Sequence, residues 1–431
     1  MKILLISFCF PPYNDVGHVR VGKLAKFLLR FGHDVQIISA RDQPFPATLP
    51  IEVPEARVLY TKWVNVNKPA ELVFGGRKSV AVRGLDARGT LRSGETVLRR
   101  LYRRLYKRFI SFPDDQVGWF PYAYNAAARC IERWKPDVIC ASAMPFTSLL
   151  IAHRLSRRYT IPWVADLRDL WVDHQNYKYA GWRRAIEGRL ERRILTSATG
   201  LVTVSEPLAA VLRTKYTGPV SVVMNGFDPD DYPDDSHRPK GSPIVRIAYT
   251  GMIYEGKQRL EPLFEALAGM PRRDHVRVTL YGRYLELARR MAAAYAMESL
   301  VEVHDAIPYR DSLRVQRESD VLLLLLWSDP REKGVYTGKL FEYIGAGRPI
   351  LAIGPADNVA ADLIAERAAG VVLQDAGDIR RQLERWIDIK QGGAVIPPTS
   401  KDAGLGLSRE EQARRFERVL LDAMQLAASI G

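Results

Sequence analysis

The segment Gly334-Val335-Tyr336-Thr337-Gly338-Lys339-Leu340-Phe341-Glu342 places a glycine turn, a lysine and a carboxylate at intervals suited to holding a diphosphate beside a hydroxyl-bearing ring. Gly338 lets main chain approach a ligand. Amides at the start of the following helix would face outward, and Lys339 adds a full charge to the positive end of the helix dipole. Glu342 comes one turn later, where its carboxylate can accept from ribose or sugar hydroxyls. Gly345 and Gly347 then end the helix, and Pro349 stops it before the apolar run Ile350 to Ile353. Such glycines also serve caps and packing, so the remainder of the chain must decide between the two uses.

The elements that would position these residues are legible as alternating strands and helices. Short apolar runs recur at Lys2 to Ser7, Asp34 to Ser39, Asp137 to Ser142, Pro162 to Leu167, Gly200 to Ser205 and Ser221 to Asn225. A second series comprises Val245 to Thr250, Arg277 to Tyr281, Val301 to His304, Asp320 to Leu326, Pro349 to Ile353 and Gly370 to Leu373. Continuous apolar strands separated by helices predict α/β architecture, with parallel sheets covered on both faces. Two series predict two doubly wound, Rossmann-like domains facing an interdomain cleft. The first would span residues 1–230 and the second 244–407, joined by a polar, proline-rich acidic linker at 228–243 and closed by an amphipathic helix at 408–431. The linker carboxylates are irregularly spaced and read as a solvated hinge rather than a metal site. In each half a glycine-containing turn follows the first strand, ending at Gly17 and Gly251, at the end of the sheet where open α/β folds bind ligands.

The 431 residues are 47% hydrophobic and 26% charged, which suits a soluble globular protein of two or three domains. Three distant cysteines, Cys9, Cys130 and Cys140, support neither a disulfide framework nor a zinc cluster and suit a reducing cytoplasm. The apolar start reads as a buried strand, because it breaks at Pro11-Pro12 without a cleavage site, and no apolar run is long enough to span a membrane.

The net charge of +14 calls for a polyanionic partner, a membrane surface or acidic ligands. Much of it lies in an insertion at about 45–120, where Arg99, Arg100, Arg103, Arg104, Lys107 and Arg108 alternate with aliphatic and aromatic residues at helical spacing. Three readings stay open: a helix packed on its own domain, contact with an anionic membrane or an acceptor, and nucleic acid.

Taken in order, Pro11-Pro12 to Gly17, Lys135-Pro136-Asp137-Val138-Ile139, Val164-Ala165-Asp166-Leu167-Arg168-Asp169-Leu170-Trp171, Val204-Ser205-Glu206-Pro207-Leu208, Asn225-Gly226-Phe227-Asp228 and Gly338-Lys339-Leu340-Phe341-Glu342 resemble glycosyltransferase family four. The resemblance covers nearly the whole chain and implies the GT-B fold and a nucleotide diphosphate sugar as substrate. It looks closest to the subgroup that builds bacterial surface polysaccharides and glycoconjugates on lipid-linked or other glycan acceptors. It implies transfer with retention of configuration, no tightly bound cofactor and no metal. The expected location is the cytoplasm, peripheral on the inner face of the cell membrane, with no nucleic acid partner.

The resemblance also implies site residues. Lys257 and Lys339 fall where charge on the diphosphate is met, and Glu342 where the second glutamate of a Glu-x7-Glu motif binds ribose. Gly17, His18, Gly251, Arg283, Tyr336, Thr337, Gly338 and Leu340 complete the donor side, while Asp166, Arg168 and Asp169 fall at a strand end where acceptor and sugar hydroxyls are read. For His18 a plain helix-start role, and for Asp166 and Asp169 an ion pair with Arg168, stand beside those roles. The chain departs from the motif at Gly334, where the first glutamate is expected, with Glu332 and Asp329 as neighbouring carboxylates. It departs again at Met252, which replaces an arginine, and at Ser142, which replaces a histidine. Two other classes remain: a nucleotide-sugar epimerase of the same fold, and a nucleic-acid-binding protein.

Overall fold

A computed structural model describes residues 1–66, 111–177, 179, 181–232 and 242–430. The chain separates into two units, Met1–Val223 with Ala413–Gly431, and Met224–Gln412.

The first unit holds β1 (Lys2–Ile6), β2 (Asp34–Ala40), β3 (Val58–Thr61), β4 (Val138–Ala143), β5 (Trp163–Leu167), β6 (Gly200–Thr203) and β7 (Val220–Val222). They form a parallel sheet in the order β3-β2-β1-β4-β5-β6-β7. Every residue of β4 and β5 is buried, as sheets covered by helices on both faces require. The helix Val16–Arg30 follows β1, and the Asp15 carboxylate caps it by accepting from the Val16 amide at 2.9 Å.

The second unit repeats the plan with β8 (Val245–Thr250), β9 (Val276–Tyr281), β10 (Val301–His304), β11 (Val321–Leu325), β12 (Ile350–Ile353) and β13 (Gly370–Leu373), in the order β10-β9-β8-β11-β12-β13. In both sheets the order reverses beside the first strand of the unit, between β1 and β4 and between β8 and β11. Crossover helices diverge at such points, leaving a crevice beyond the strands' carboxyl ends. The Gly17 turn and the end of β4 lie there in one unit. Gly251 and the loop from Trp327 to Thr337 lie there in the other.

The helix Arg409–Ile430 opens with a reciprocal cap. The Glu411 amide donates to Ser408 Oγ and the Ser408 amide to Glu411 Oε2, each at 3.1 Å. Its Phe416, Val419 and Leu420 join Ile3, Val138 and Val202 in the core of the first unit.

The region expected to be an insertion from about residue 45 contributes to the sheet at both ends. Val58–Thr61 pairs with β2, and the helix Phe120–Trp134 buries Ala123, Ala127 and Ile131 against the sheet core. The half-exposed Val-Leu-Tyr-Thr strand lacks the continuous apolar run that marks its buried neighbours. Arg99, Arg100, Arg103, Arg104, Lys107 and Arg108 lie outside the described residues. Among the described residues, no helix is long and apolar enough to cross a membrane.

Candidate functional site

In the second unit, β8 delivers Tyr249 and Gly251 to the crevice, and the helix Gly338–Ala346 delivers Lys339 and Glu342. Gly251 has φ +136°, and a Cβ there would lie 2.8 Å from Lys339 Nζ, so only glycine lets the lysine lie across this turn. Lys339 Nζ donates to the Tyr249 hydroxyl at 2.7 Å and sits 4.3 Å from the ring centroid. Withdrawal from water pushes its ammonium down to about 8, with Glu342 pulling the other way. Thr337 at the N-cap makes no side-chain capping bond, which leaves first-turn amides available to an anion. The helix closes on Gly347 at φ +68°. Gly345 does not end it but sits within its last turn, where a Cβ would meet the Phe227 ring at 2.6 Å.

Glu342 is half-buried. Gln316 Nε2 bonds both Glu342 Oε2, at 3.2 Å, and Thr250 Oγ1, at 3.0 Å. Burial raises the carboxyl, while Gln316, Arg409 and Lys339 counter that rise. Its backbone carbonyl accepts from the Tyr232 hydroxyl at 2.9 Å, which ties the helix to the start of the unit.

Lys257 Nζ lies 2.7 Å from Glu332 Oε1 and 5.5 Å from the Trp327 ring centroid. Glu332 is 2% exposed. The buried carboxylate of this loop therefore comes from residue 332 rather than from 334, which is glycine. Asp329 instead pairs with Arg331, which holds it down at about 2. Trp327 Nε1, Ser328 Oγ, Thr337 Oγ1 and Gln316 Oε1 are buried with no hydrogen-bond partner among the described residues. Three of these orphaned polar atoms belong to one loop, which is what a site built for a polar ligand presents when its protein atoms stand alone.

The remaining expected donor residues divide. Arg283 follows Gly282, whose Cβ position lies 1.8 Å from the Gly251 carbonyl, so the β9 turn is pressed against the β8 turn. Leu340 is drawn wholly into the core and its amide bonds the Thr337 carbonyl at 3.2 Å, so neither group is free for a ligand. Tyr336 packs edge-on against Phe341, and burial followed by Glu366 and Asp362 raises its phenol.

In the first unit, Gly17 and Arg168 are in contact. A Cβ at residue 17 would fall 1.8 Å from Arg168 Nη1, and Arg168 is fixed by the Ala143 and Met144 carbonyls at 2.5 and 2.7 Å. Asp166 does not pair with Arg168 as its neighbour in sequence. It is fully buried, 2.8 Å from Arg20 Nη2, and accepts from Ser142 Oγ at 2.8 Å. Burial opposes its ionisation, but Arg20 and Ser142 outweigh it and hold the carboxyl below its usual range. Asp169 is half-buried, 4.0 Å from His174 Nε2. His18 is buried rather than presented at the helix start. Its Nε2 meets Gln43 Oε1 at 2.7 Å, and Nδ1 has no hydrogen-bond partner within ordinary geometry among the described residues.

Sequence reasoning missed Tyr249, Gln316, Arg20 and Trp327. Arg20 carried one available signal, a cation buried one turn after Gly17 on the inward face of an apolar helix. Tyr249 and Gln316 reach the site across 90 and 26 residues of chain, a distance at which periodicity says nothing.

The sequence model of Glycosyltransferase Family 4 matches residues 17–231, about half of the chain. Sucrose-phosphate synthase from Thermosynechococcus elongatus is 15% identical, with a TM-score of 0.60 over 100% of this chain and 99% of that one. Anabaena HepE, solved in complex with UDP, is 13% identical with a TM-score of 0.57 over 100% and 99%. The apo lipopolysaccharide outer core galactosyltransferase WaaB is 13% identical with a TM-score of 0.56 over 98% and 99%. No curated protein matches. With the two parallel sheets already described, these likenesses establish the GT-B fold, and the chain belongs to glycosyltransferase family 4.

Proposed function

We propose that the chain transfers a sugar from a nucleotide diphosphate sugar to an acceptor hydroxyl with retention of anomeric configuration. Lys339, resting on Gly251 at the start of the helix Gly338–Ala346, is the observation that carries this reading. A cation with a depressed pKa beside unfilled amides suits a diphosphate whose charge grows as its bond to the sugar breaks.

Lys257, held by Glu332, supplies a second ammonium, so the leaving group is neutralised by the protein rather than by a metal. Glu342 accepts from the ribose hydroxyls. In the reaction the anomeric carbon loses its bond to the donor phosphate oxygen and gains one to the acceptor oxygen on the same face. The departing phosphate takes the acceptor proton, so no protein nucleophile enters. The acceptor is a glycan, lipid-linked or otherwise, of a surface polysaccharide or glycoconjugate, met at the cytoplasmic face of a membrane.

Melting temperatures recorded with a panel of uridine and guanosine diphosphate sugars test the reading, because a ligand that binds only the native state must stabilise it. At least one should raise the melting point of the wild type and not of Lys339→Ala. A panel with no effect would remove the donor site. Consumption of the donor to an isomer, with no acceptor present, would make the chain an epimerase.

A further inference from the structure

The helix Gly181–Leu195 distributes its charges unevenly. Both of its carboxylates turn inward. Glu187 accepts from Arg183 Nε at 2.6 Å and from the Tyr177 hydroxyl at 2.8 Å, while Glu191 accepts from the Val172 amide at 3.0 Å and pairs with Lys215 at 2.6 Å. Arg184, Arg189, Arg192 and Arg193 are exposed. Of these, Arg184 reaches Asp173 at 3.3 Å, whereas Arg189, Arg192 and Arg193 form no ion pair among the described residues.

On the outward face Trp182 and Ile186 stand four residues apart, 38% and 45% exposed. Continuing that spacing leads to Arg189 and Arg193, so one stripe runs from apolar to cationic along the helix. The neighbouring helix Thr147–Tyr159 widens its basic end with exposed Arg154 and Arg157. Arg157, Arg193 and Arg154 lie close enough to His153 to join burial in holding its imidazole down at about 4.

We propose that this face of the first unit rests on an anionic lipid bilayer. Trp182 and Ile186 enter the boundary between headgroups and acyl chains, and Arg189, Arg192 and Arg193 meet lipid phosphates. Nucleic acid would use the arginines but leave Ile186 in water. A surface that is anionic outside and apolar just beneath satisfies both halves of the stripe. The proposal locates the membrane contact of the function proposed above, yet its test does not depend on sugar transfer.

The full chain is sedimented with phosphatidylcholine vesicles, with and without phosphatidylglycerol, at low and high salt. Wild type should bind only the anionic vesicles. The pairs Arg189→Glu with Arg193→Glu, and Trp182→Ala with Ile186→Ser, should each lower the bound fraction about tenfold, the first removing most of the salt dependence. Melting temperatures and the stabilisation by nucleotide sugar should stay at wild-type values, which separates this surface from the donor site. Wild type remaining in the supernatant, or binding unchanged in both pairs, would overturn the proposal. So would tighter binding to a DNA duplex than to phosphatidylglycerol vesicles.

Discussion

Arg168 occupies the space that a side chain at residue 17 would need. Its Nη1 stands 1.8 Å from the Cβ position of Gly17, and two carbonyls of the β4 turn hold the rest of the guanidinium. Gly17→Ala must therefore displace Arg168. We expect Gly17→Ala and Arg168→Ala each to lower kcat/KM by roughly 10- to 100-fold, and the double variant to be little worse than either single one. Additive losses would mean that the two act separately.

Lys339 offers a pH test with a defined sign. The folded free chain loses this proton near pH 8, well below the ordinary lysine range, so kcat/KM for the donor should fall on the alkaline side with a midpoint about 8. A bound diphosphate favours the charged form, so donor binding above that pH should take up a proton, measurable as a buffer-dependent calorimetric heat. Lys339→Arg should abolish the alkaline limb, because guanidinium stays protonated throughout.

The same ammonium is half removed from water with no direct carboxylate bond. Lys339→Met should therefore abolish turnover while leaving the melting temperature unchanged or higher by about 2–4 °C, since replacing a poorly compensated charge with an apolar chain relieves desolvation. A clear fall in melting temperature would show the lysine to be structural.

Glu332 is buried within the Trp327 loop against Lys257. Glu332→Gln keeps shape but removes the charge that orients the lysine. The expectation is a rise in donor KM of about tenfold with a smaller change in kcat, whereas Asp329→Asn should leave both within about twofold. The reverse ranking would make residue 329 the carboxylate that matters.

Asp166 should behave as architecture. Its pair with Arg20 is wholly enclosed, so Asp166→Ala strands a buried guanidinium and should cost about 3–5 kcal/mol in urea unfolding of the first unit. The folded pKa is depressed. The pair therefore stabilises above the ordinary carboxylate range, and that contribution is lost as acid carries the pH down through the lowered value. A full loss of activity without loss of stability would return Asp166 to the reacting centre.

Much of the fold was legible because strands such as β8 and β13 are largely apolar runs, and the structure ends them where the pattern does. β3 escaped notice because an edge strand with one neighbour need not be apolar throughout. The glycine, lysine and glutamate of the helix Gly338–Ala346 could be placed together from the sequence because their positions depend on local spacing. Glu332 was visible only as one of two neighbouring carboxylates, and burial decides between them. Asp166 finds its ion-pair partner at Arg20, on the helix after β1, which spacing along β5 could not show.

The helix Arg409–Ile430 completes the core of the first sheet although most of the second unit separates it in sequence from β7. During synthesis, Ile3, Val138 and Val202 must wait for Phe416, Val419 and Leu420 to leave the ribosome. Until then an apolar strip on the nascent first unit stays open to chaperones or to misassembly, and a stop codon just before residue 413 should yield aggregates rather than a soluble fragment.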